Sequence, residues 1–129
     1  MKQIKVAEAT NIQLDWLVAT CEGIEVRWSA PHEQLLMVGY AYLPFSPTSN
    51  WSQMGPIIER EGPWVRESAV ASPAIAHLVT PDKKWFAYAR SNHDGAASHC
   101  YYGETFLIAA ARCFVSSKLG RIVEVPDEL

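Results

Sequence analysis

The longest regular pattern of apolar residues runs from Gly103 to Gly120, and it predicts one helix. Its apolar positions recur at steps of three and four residues, so they share one broad face. Thr105 is suited to cap the start, Gly120 to follow the last turn, and Lys118 to lie at the negative end of the helix dipole. A helix that is apolar on nearly every side has to be covered, so we expect it to form the centre of the core.

Two further helices are predicted, over residues 10–23 and 50–60. The first begins with a capping Thr-Asn pair, has apolar residues on one face and ends at a glycine. In the second, Asn50 followed three residues later by Gln53 has the pattern of a capping box. Pro56 lacks a backbone donor and crowds the preceding turn, so we expect a kinked helix or two separate helical turns here.

Short segments that are alternating or rich in β-prone residues predict strands between these helices. They are residues 3–6, 24–28, 35–43 with an interruption at Gly39, 64–68, 83–92, 99–102 and 122–125. Helices near the start, middle and end of the chain, with strands between them, predict an α+β fold in a single domain of residues 1–129. An antiparallel sheet packed with about three helices is the simplest arrangement, and an α/β/α sandwich is the alternative.

Composition narrows the class of protein and of partner. A chain of 129 residues with 49% hydrophobic residues is long and apolar enough to bury a core, which argues against disorder. The net charge of −3 gives no electrostatic footprint for nucleic acid or for an anionic membrane surface. We therefore expect neither nucleic acid nor a membrane among its partners.

The cysteines and the N-terminal sequence bear on the compartment. The three cysteines cannot all pair with one another, and Cys21 and Cys113 lie in predicted helices, as small hydrophobic residues do. The N-terminus has no apolar segment typical of a signal peptide, and no apolar run approaches the roughly 18 residues of a membrane span. These features favour a cytoplasmic protein with reduced thiols.

One group of residues has metal-ligand chemistry. His93, Asp94, His99 and Cys100 fall within eight residues of one another. Zinc sites usually have paired ligands separated by two to four residues on each side, and this segment lacks that spacing. A polar hairpin tip is the favoured interpretation, and a small enzyme or metal-binding module that uses His93, His99 and Cys100 is the alternative.

The familiar catalytic motifs are missing from the sequence. It has no G-x-S-x-G elbow, no P-loop and no glycine-rich dinucleotide turn. Cys113 lies among Ala and Phe residues, so we expect a buried and inert thiol. Glu59 and Glu61 are two residues apart on a predicted helix and do not face each other, which favours a solvated surface. We therefore expect a binding protein without a cofactor or a resident metal, rather than an enzyme.

The candidate binding residues lie at two predicted helix starts. Turn residues, hydroxyl groups and a tryptophan fill residues 45–51, where free backbone donors can hold an anion or a carboxylate group. If the sheet brings the two helix starts together, Trp51 becomes the wall of a pocket. The favoured alternative is that the polar residues only cap the helix while Trp51 packs inward. The candidate residues are Ser46, Ser49, Asn50, Trp51, Tyr101, Tyr102, Thr105 and Arg112.

Arg112 is a polar residue on an otherwise apolar helix. It has two possible roles: a structural ion pair with an acid such as Asp15 or one at the C-terminus, or a side chain that points into the pocket. The structural pair is the favoured one.

Three blocks of the sequence resemble the small tailed-phage and prophage proteins typified by lambdoid NinX. The first spans residues 14–23 and reads LDWLVATCEG. The second spans residues 45–62 and reads FSPTSNWSQMGPIIEREG, similar to a family pattern close to YSPSTDWAQGGPIIEREG. The third spans residues 103–129 and reads GETFLIAAARCFVSSKLGRIVEVPDEL, similar to GPTPLIAAMRCYVASKLGDEVEVPEEL. A looser similarity extends to phage α/β/α sandwich domains.

This resemblance implies a phage or prophage accessory protein in the cytoplasm of the bacterial host, which binds a host or phage protein or a small polar ligand. Asn50 stands where the family usually has Asp, and Phe45 where it usually has Tyr, so roles that need this carboxylate or phenol are not expected here. Glu104 and Phe106 replace prolines. A homo-oligomeric structural protein is a further alternative, because the central helix has more apolar surface than one sheet face can cover.

Overall fold

The computed structural model describes residues 1–39, 41–68, 73–90 and 98–129. None of the helices in these residues is long and apolar enough to cross a membrane. The α-helices are α1 (Asn11–Glu22), α2 (Trp51–Glu61) and α3 (Phe106–Leu119). Short 3₁₀-helical turns cover Val6–Glu8, Pro73–Leu78 and Pro81–Lys83.

The strands of the described residues pair in three antiparallel sheets. One sheet joins β1 (Lys2–Lys5) to β7 (Ile122–Val125), and a second joins β2 (Val26–Ser29) to β3 (Gln34–Met37). The largest sheet contains β4 (Trp64–Glu67), β5 (Trp85–Arg90) and β6 (Ser98–Gly103), in that order. The predicted α+β fold is confirmed, with the strands divided among three sheets instead of gathered in one.

Helix α3 is the centre of the core, as its apolar pattern predicts. It contacts β4, β5 and β6 on one side and α1 and α2 on another. The middle layer is therefore a helix, which differs from an α/β/α sandwich with a sheet in the middle. Helices α1 and α2 cover the apolar surface of α3 that the sheet leaves open. The apolar surface of α3 that suggested an oligomer from the sequence is therefore covered within the chain. The residues of α3 with no exposed surface are Ala109, Ala110, Ala111, Cys113, Val115 and Ser116.

The end of β6 passes unusually close to the first turns of α3. A Cβ atom placed on Gly103 would lie 2.5 Å from the backbone nitrogen of Ala109 and 3.0 Å from its Cα. These are backbone atoms within a helix and cannot move aside independently. Glycine at this position therefore sets how closely the sheet and the central helix approach each other.

The helix starts are capped by side chains at the predicted positions. Thr10 and Gln13 form a reciprocal capping box on α1, in which each side chain accepts from the other residue's backbone N–H, at 2.9 and 3.3 Å. The Thr105 hydroxyl accepts from the Ile108 N–H at 3.2 Å and caps α3. Gly23 ends α1 with a left-handed φ of 70°, which a residue without a Cβ adopts at little cost.

Helix α2 runs as one element through Pro56, so the two separate helical turns that the sequence allowed do not occur. Its C-terminal end is tied to both other helices by surface ion pairs. Arg60 binds Glu22 of α1 at 2.7 Å, and Glu61 binds Lys118 of α3 at 3.2 Å. Glu59 is exposed, as its spacing predicts, whereas Glu61 is partly buried and forms ion pairs.

The chain after β3 turns back on itself. The predicted strand over residues 35–43 ends at Met37, and Gly39 follows with a left-handed φ of 87°. The backbone N–H of Met37 donates to the carbonyl of Leu43 at 2.8 Å, which closes the turn. Gly39 therefore interrupts the strand, as predicted.

Candidate functional site

The loop before α2 is fixed to the core by a buried carboxylate. Asp15 of α1 is 5% exposed, and its Oδ1 accepts from the backbone N–H of Thr48 at 2.9 Å. Burial raises the pKa of Asp15 to about 6, while hydrogen bonds from Thr48 oppose that rise. Arg112 donates to the carbonyls of Tyr102 and Ala9 instead. The pair with Asp15, one of the ion pairs considered for Arg112, therefore does not form.

The polar residues at the start of α2 bind one another. The Asn50 side chain caps the helix by accepting from the Ser52 N–H at 3.0 Å. The Gln53 side chain accepts from the Ser46 N–H at 2.7 Å, so the predicted capping box with Asn50 does not form. The Ser49 N–H and hydroxyl both donate to the Ser46 carbonyl, at 3.0 and 3.3 Å. These donors serve the loop itself, in accord with the capping interpretation.

The starts of α2 and α3 lie side by side, held by aromatic contacts. The ring of Trp51 lies 5.1 Å from that of Phe106, and Phe106 lies 5.5 Å from Trp85 in an edge-on arrangement. Trp51 is 57% exposed, so it does not pack inward as the favoured alternative supposed. It forms a surface tryptophan over the junction of the two helices.

Arg112 links α3 to two distant parts of the backbone. Its guanidinium donates to the Tyr102 carbonyl at 2.6 Å and to the Ala9 carbonyl at 3.1 Å. Burial lowers the pKa of Arg112, and the charges of Glu104 and Asp82 oppose that effect. A guanidinium has five N–H donors, so this one keeps donors for a further acceptor oxygen.

A charged cavity of about 240 Å³ lies beside Arg112. Two cationic and two acidic side chains surround it, so it can donate hydrogen bonds to a polar group and accept them from one. The residues that line this charged cavity are Ala7, Asp82, Lys83, Cys100, Tyr101, Tyr102, Glu104 and Arg112.

The two tyrosines of β6 point to opposite faces of the sheet, as neighbours on a strand do. Tyr101 is buried against α3, with its hydroxyl 2.7 Å from that of Ser116. Tyr102 is 46% exposed, with the Lys83 ammonium 5.6 Å from its ring centroid. Its ring also lies 6.4 Å from that of Phe86. Tyr102 is therefore the surface aromatic of this region, while Tyr101 belongs to the core.

Two more cavities adjoin the charged one. An apolar cavity of about 330 Å³ shares Lys83, Cys100 and Tyr102 with it. The remaining residues of this apolar cavity are Ser68, Leu78, Val79 and Phe86. A basic cavity of about 400 Å³ is lined by Lys5, Ala7, Cys100, Tyr101, Arg121 and Ile122. The three together form a groove that follows β6.

The structure separates the predicted binding residues into two groups. Tyr101, Tyr102 and Arg112 line the charged cavity, and Thr105 caps the helix beside them. The other four, Ser46, Ser49, Asn50 and Trp51, lie at the start of α2.

Sequence reasoning missed Asp82, Lys83 and Glu104 as neighbours of Arg112. Asp82 and Lys83 belong to a short 3₁₀ turn in a segment with weak periodicity, and the segment contacts β6 only in the folded chain. The signal in the sequence was that Asp82 and Lys83 are both charged and come just before the clearly predicted strand β5.

The thiols of the chain have raised pKa values. Burial raises the pKa of Cys113 and of Cys21 to about 12, which keeps both protonated at neutral pH and fits the inert thiol expected at Cys113. Burial also raises the pKa of Cys100. In the described part of the chain, no three metal-ligating side chains come together. His93, Asp94 and the side chain of His99 lie outside the described residues, so the structure does not address the metal-site alternative that includes them.

Comparison with known proteins identifies the family. No curated protein matches the chain at a significant level. The family model described as bacteriophage P22, NinX matches residues 5–118, which include α1, α2, all of α3 except its last residue, and the residues of the charged cavity. The chain therefore belongs to the bacteriophage P22 NinX family.

Proposed function

We propose that this NinX-family protein is a phage accessory protein that binds a protein partner, from the phage or from its host, in the cytoplasm of the bacterium. Tyr102 carries this proposal, because it is an exposed aromatic residue between a charged cavity and an apolar one. Tyrosine combines a large apolar body with a polar tip, and it is enriched among the residues that dominate protein interfaces.

The sizes of the cavities favour a protein partner over a small ligand. The adjoining basic cavity, of about 400 Å³, lies near the lower end of the roughly 300–1,000 Å³ typical of small-molecule pockets. The charged and apolar cavities, of about 240 and 330 Å³, lie below or near that end. Each is large enough for a side chain. Because they adjoin at Tyr102, one partner surface can place a polar side chain on one side of this ring and an apolar side chain on the other.

Arg112 and Lys83 add polar specificity to this surface. Arg112 is already oriented by the carbonyls of Tyr102 and Ala9, so little side-chain freedom remains to be lost on binding. Lys83 lies over the Tyr102 ring, and a cation in that position helps to orient the aromatic side chain. A partner therefore meets an aromatic centre and polar edge groups that are already in place.

The proposal is tested by affinity isolation from phage-infected cells with the wild-type protein and two variants. Tyr102→Ala removes the central ring, whereas Tyr42→Ala removes a tyrosine that is 58% exposed in the turn after β3. We expect the wild type and Tyr42→Ala to retain the same partner, and Tyr102→Ala to lose it while remaining folded by circular dichroism.

Retention of the same partner by folded Tyr102→Ala would refute a binding surface at this residue. If the purified protein instead carried a small molecule and retained no protein, the proposed class of partner would be wrong. Mass spectrometry of the eluate before and after denaturation distinguishes these outcomes.

A further inference from the structure

Among the described strands, β6 is paired on one side only, so its other edge is free, and a groove runs along that edge. The strand is the last one in the order β4-β5-β6. The charged cavity and the basic cavity share Ala7, Cys100 and Tyr101, so they meet beside the middle of this strand. The two cavities, of about 240 and 400 Å³, lie next to each other along the edge.

The backbone of β6 turns hydrogen-bonding groups toward this groove. A residue in a strand directs its N–H and its C=O to the same side, and alternate residues face the same neighbour. The Ser68 N–H donates to the Lys84 carbonyl at 2.8 Å, so Lys84 and every second residue after it on β5 direct their backbone groups toward β4, and the others toward β6. By the register of β5 and β6, Tyr102 therefore faces the edge, and its carbonyl accepts from Arg112. Cys100, two residues earlier, then presents its N–H and C=O to the groove as well.

The opposite wall of the groove is positively charged. Lys5 and Arg121 both line the basic cavity, together with Ile122, which is 49% exposed. The Val6 N–H donates to the Arg121 carbonyl at 2.9 Å, which holds this wall to the end of β1. Among the described residues, no acidic side chain lines the basic cavity, in contrast to the charged cavity at the other end.

We propose that the partner binds by adding an extended, acidic segment of its chain as a further strand on the free edge of β6. This inference rests on the proposed function and specifies how the partner is recognised. An exposed edge supplies backbone hydrogen bonds for an incoming strand, and the flanking cavities select its side chains. Acidic side chains of the added strand lie beside Lys5 and Arg121, and alternate residues face Tyr102 and the apolar cavity.

The charges of the groove favour a partner segment over a second copy of this chain. Antiparallel pairing of two β6 edges about a two-fold axis would bring the basic walls of both copies toward the same interface. The facing strand would be Ser98–Gly103, which has no acidic residue to offset Lys5 and Arg121. An acidic segment from another protein supplies the missing negative charge.

A selection from a library of random short peptides tests this inference with the full-length protein. We expect the selected peptides to be acidic and rich in β-branched residues, and to bind wild type. Cys100→Pro removes the edge N–H, while Cys100→Ala keeps it and serves as the matched control. Proline is tolerated where an edge strand faces outward, so the variant should fold. Loss of edge pairing should weaken binding about tenfold or more in Cys100→Pro and leave Cys100→Ala near wild type.

A second, independent variant keeps the test informative if Cys100→Pro does not fold. Replacement of both Lys5 and Arg121 by Glu leaves β6 intact and reverses the charge of the opposite wall. We expect it to weaken the selected peptides about tenfold or more and to remove their salt dependence. The inference would be overturned if the selected peptides bound the folded proline variant and the charge-reversed variant as tightly as they bind wild type. A selection that yields no peptide would also overturn it.

The experiments distinguish failure of strand addition from failure of the proposed function. One outcome is that the natural partner is lost in Tyr102→Ala but retained by folded Cys100→Pro and by the charge-reversed variant. This outcome would support the binding surface and overturn strand addition. Sedimentation at several concentrations identifies a second copy as the occupant if wild type dimerises and Cys100→Pro does not, which would also overturn the inference.

Discussion

Asp15 offers a direct test of how the loop before α2 is held. Its carboxylate is buried and accepts from Thr48, and burial raises its pKa from 3.8 to about 6. The variant Asp15→Asn keeps an oxygen that can accept from the Thr48 N–H and has no charge to bury. Any loss of hydrogen-bond strength in the variant applies at every pH, whereas the cost of the buried charge applies only where Asp15 is ionised.

The sign of the effect follows from the direction of the pKa change. Because the folded pKa lies above the unfolded one, the native state binds the proton more tightly. The resulting stabilisation is fully present below pH 3.8 and is lost as the pH rises through about 6. A difference of about two pH units, at about 1.4 kcal/mol for each, corresponds to about 3 kcal/mol of unfolding free energy.

The assay is urea unfolding followed by tryptophan fluorescence from pH 3.5 to pH 8, for wild type and Asp15→Asn. We expect the variant to gain stability relative to wild type as the pH rises through about 6, by up to about 3 kcal/mol. Asp127→Asn, at an exposed acid that pairs with the N-terminus, controls for the loss of one negative charge. Parallel stability curves for wild type and Asp15→Asn would refute a buried, desolvated carboxylate at this position.

Two further predictions concern packing and thiol chemistry. Gly103→Ala should lower the unfolding free energy by about 2 kcal/mol, because its Cβ would meet the backbone of Ala109. Gly55→Ala is the control: this glycine has open space around it in α2, so the substitution should raise the unfolding free energy by about 0.5–1 kcal/mol. Equal effects in chemical denaturation would contradict the close approach of β6 to α3. In native protein, a thiol reagent should modify the exposed Cys100 before the buried Cys113, which should react at the rate of unfolding. Rapid modification of Cys113 without unfolding would contradict its burial.

Local patterns predicted most of the elements. Thr105, Gly120 and Lys118 fix the ends of α3, because capping and dipole preferences depend on residues within one turn. The alternation around Trp85 likewise locates β5. The division of the strands into three sheets was not predictable, because pairing depends on contacts between residues far apart in sequence. Lys2, for example, pairs with Val125 at the other end of the chain.

The candidate site was only partly predictable, for the same reason. Tyr102 and Arg112 are close enough in sequence to suggest one region around the start of α3. Ala7 and Lys83 reach that region from other segments, and no sequence periodicity links them to β6. Trp51 does lie at the other helix start, yet its ring contacts Phe106 at the surface, away from the charged cavity.

The central claim is that the partner binds around Tyr102, and photo-crosslinking tests it most directly. A photoreactive phenylalanine analogue is placed at residue 102 and, in separate proteins, at residues 51 and 42, which are also exposed aromatic positions. After irradiation in infected cells, we expect a discrete crosslinked protein from residue 102 and none from residue 42. A crosslink from residue 51 or 42 without one from residue 102 would contradict this claim.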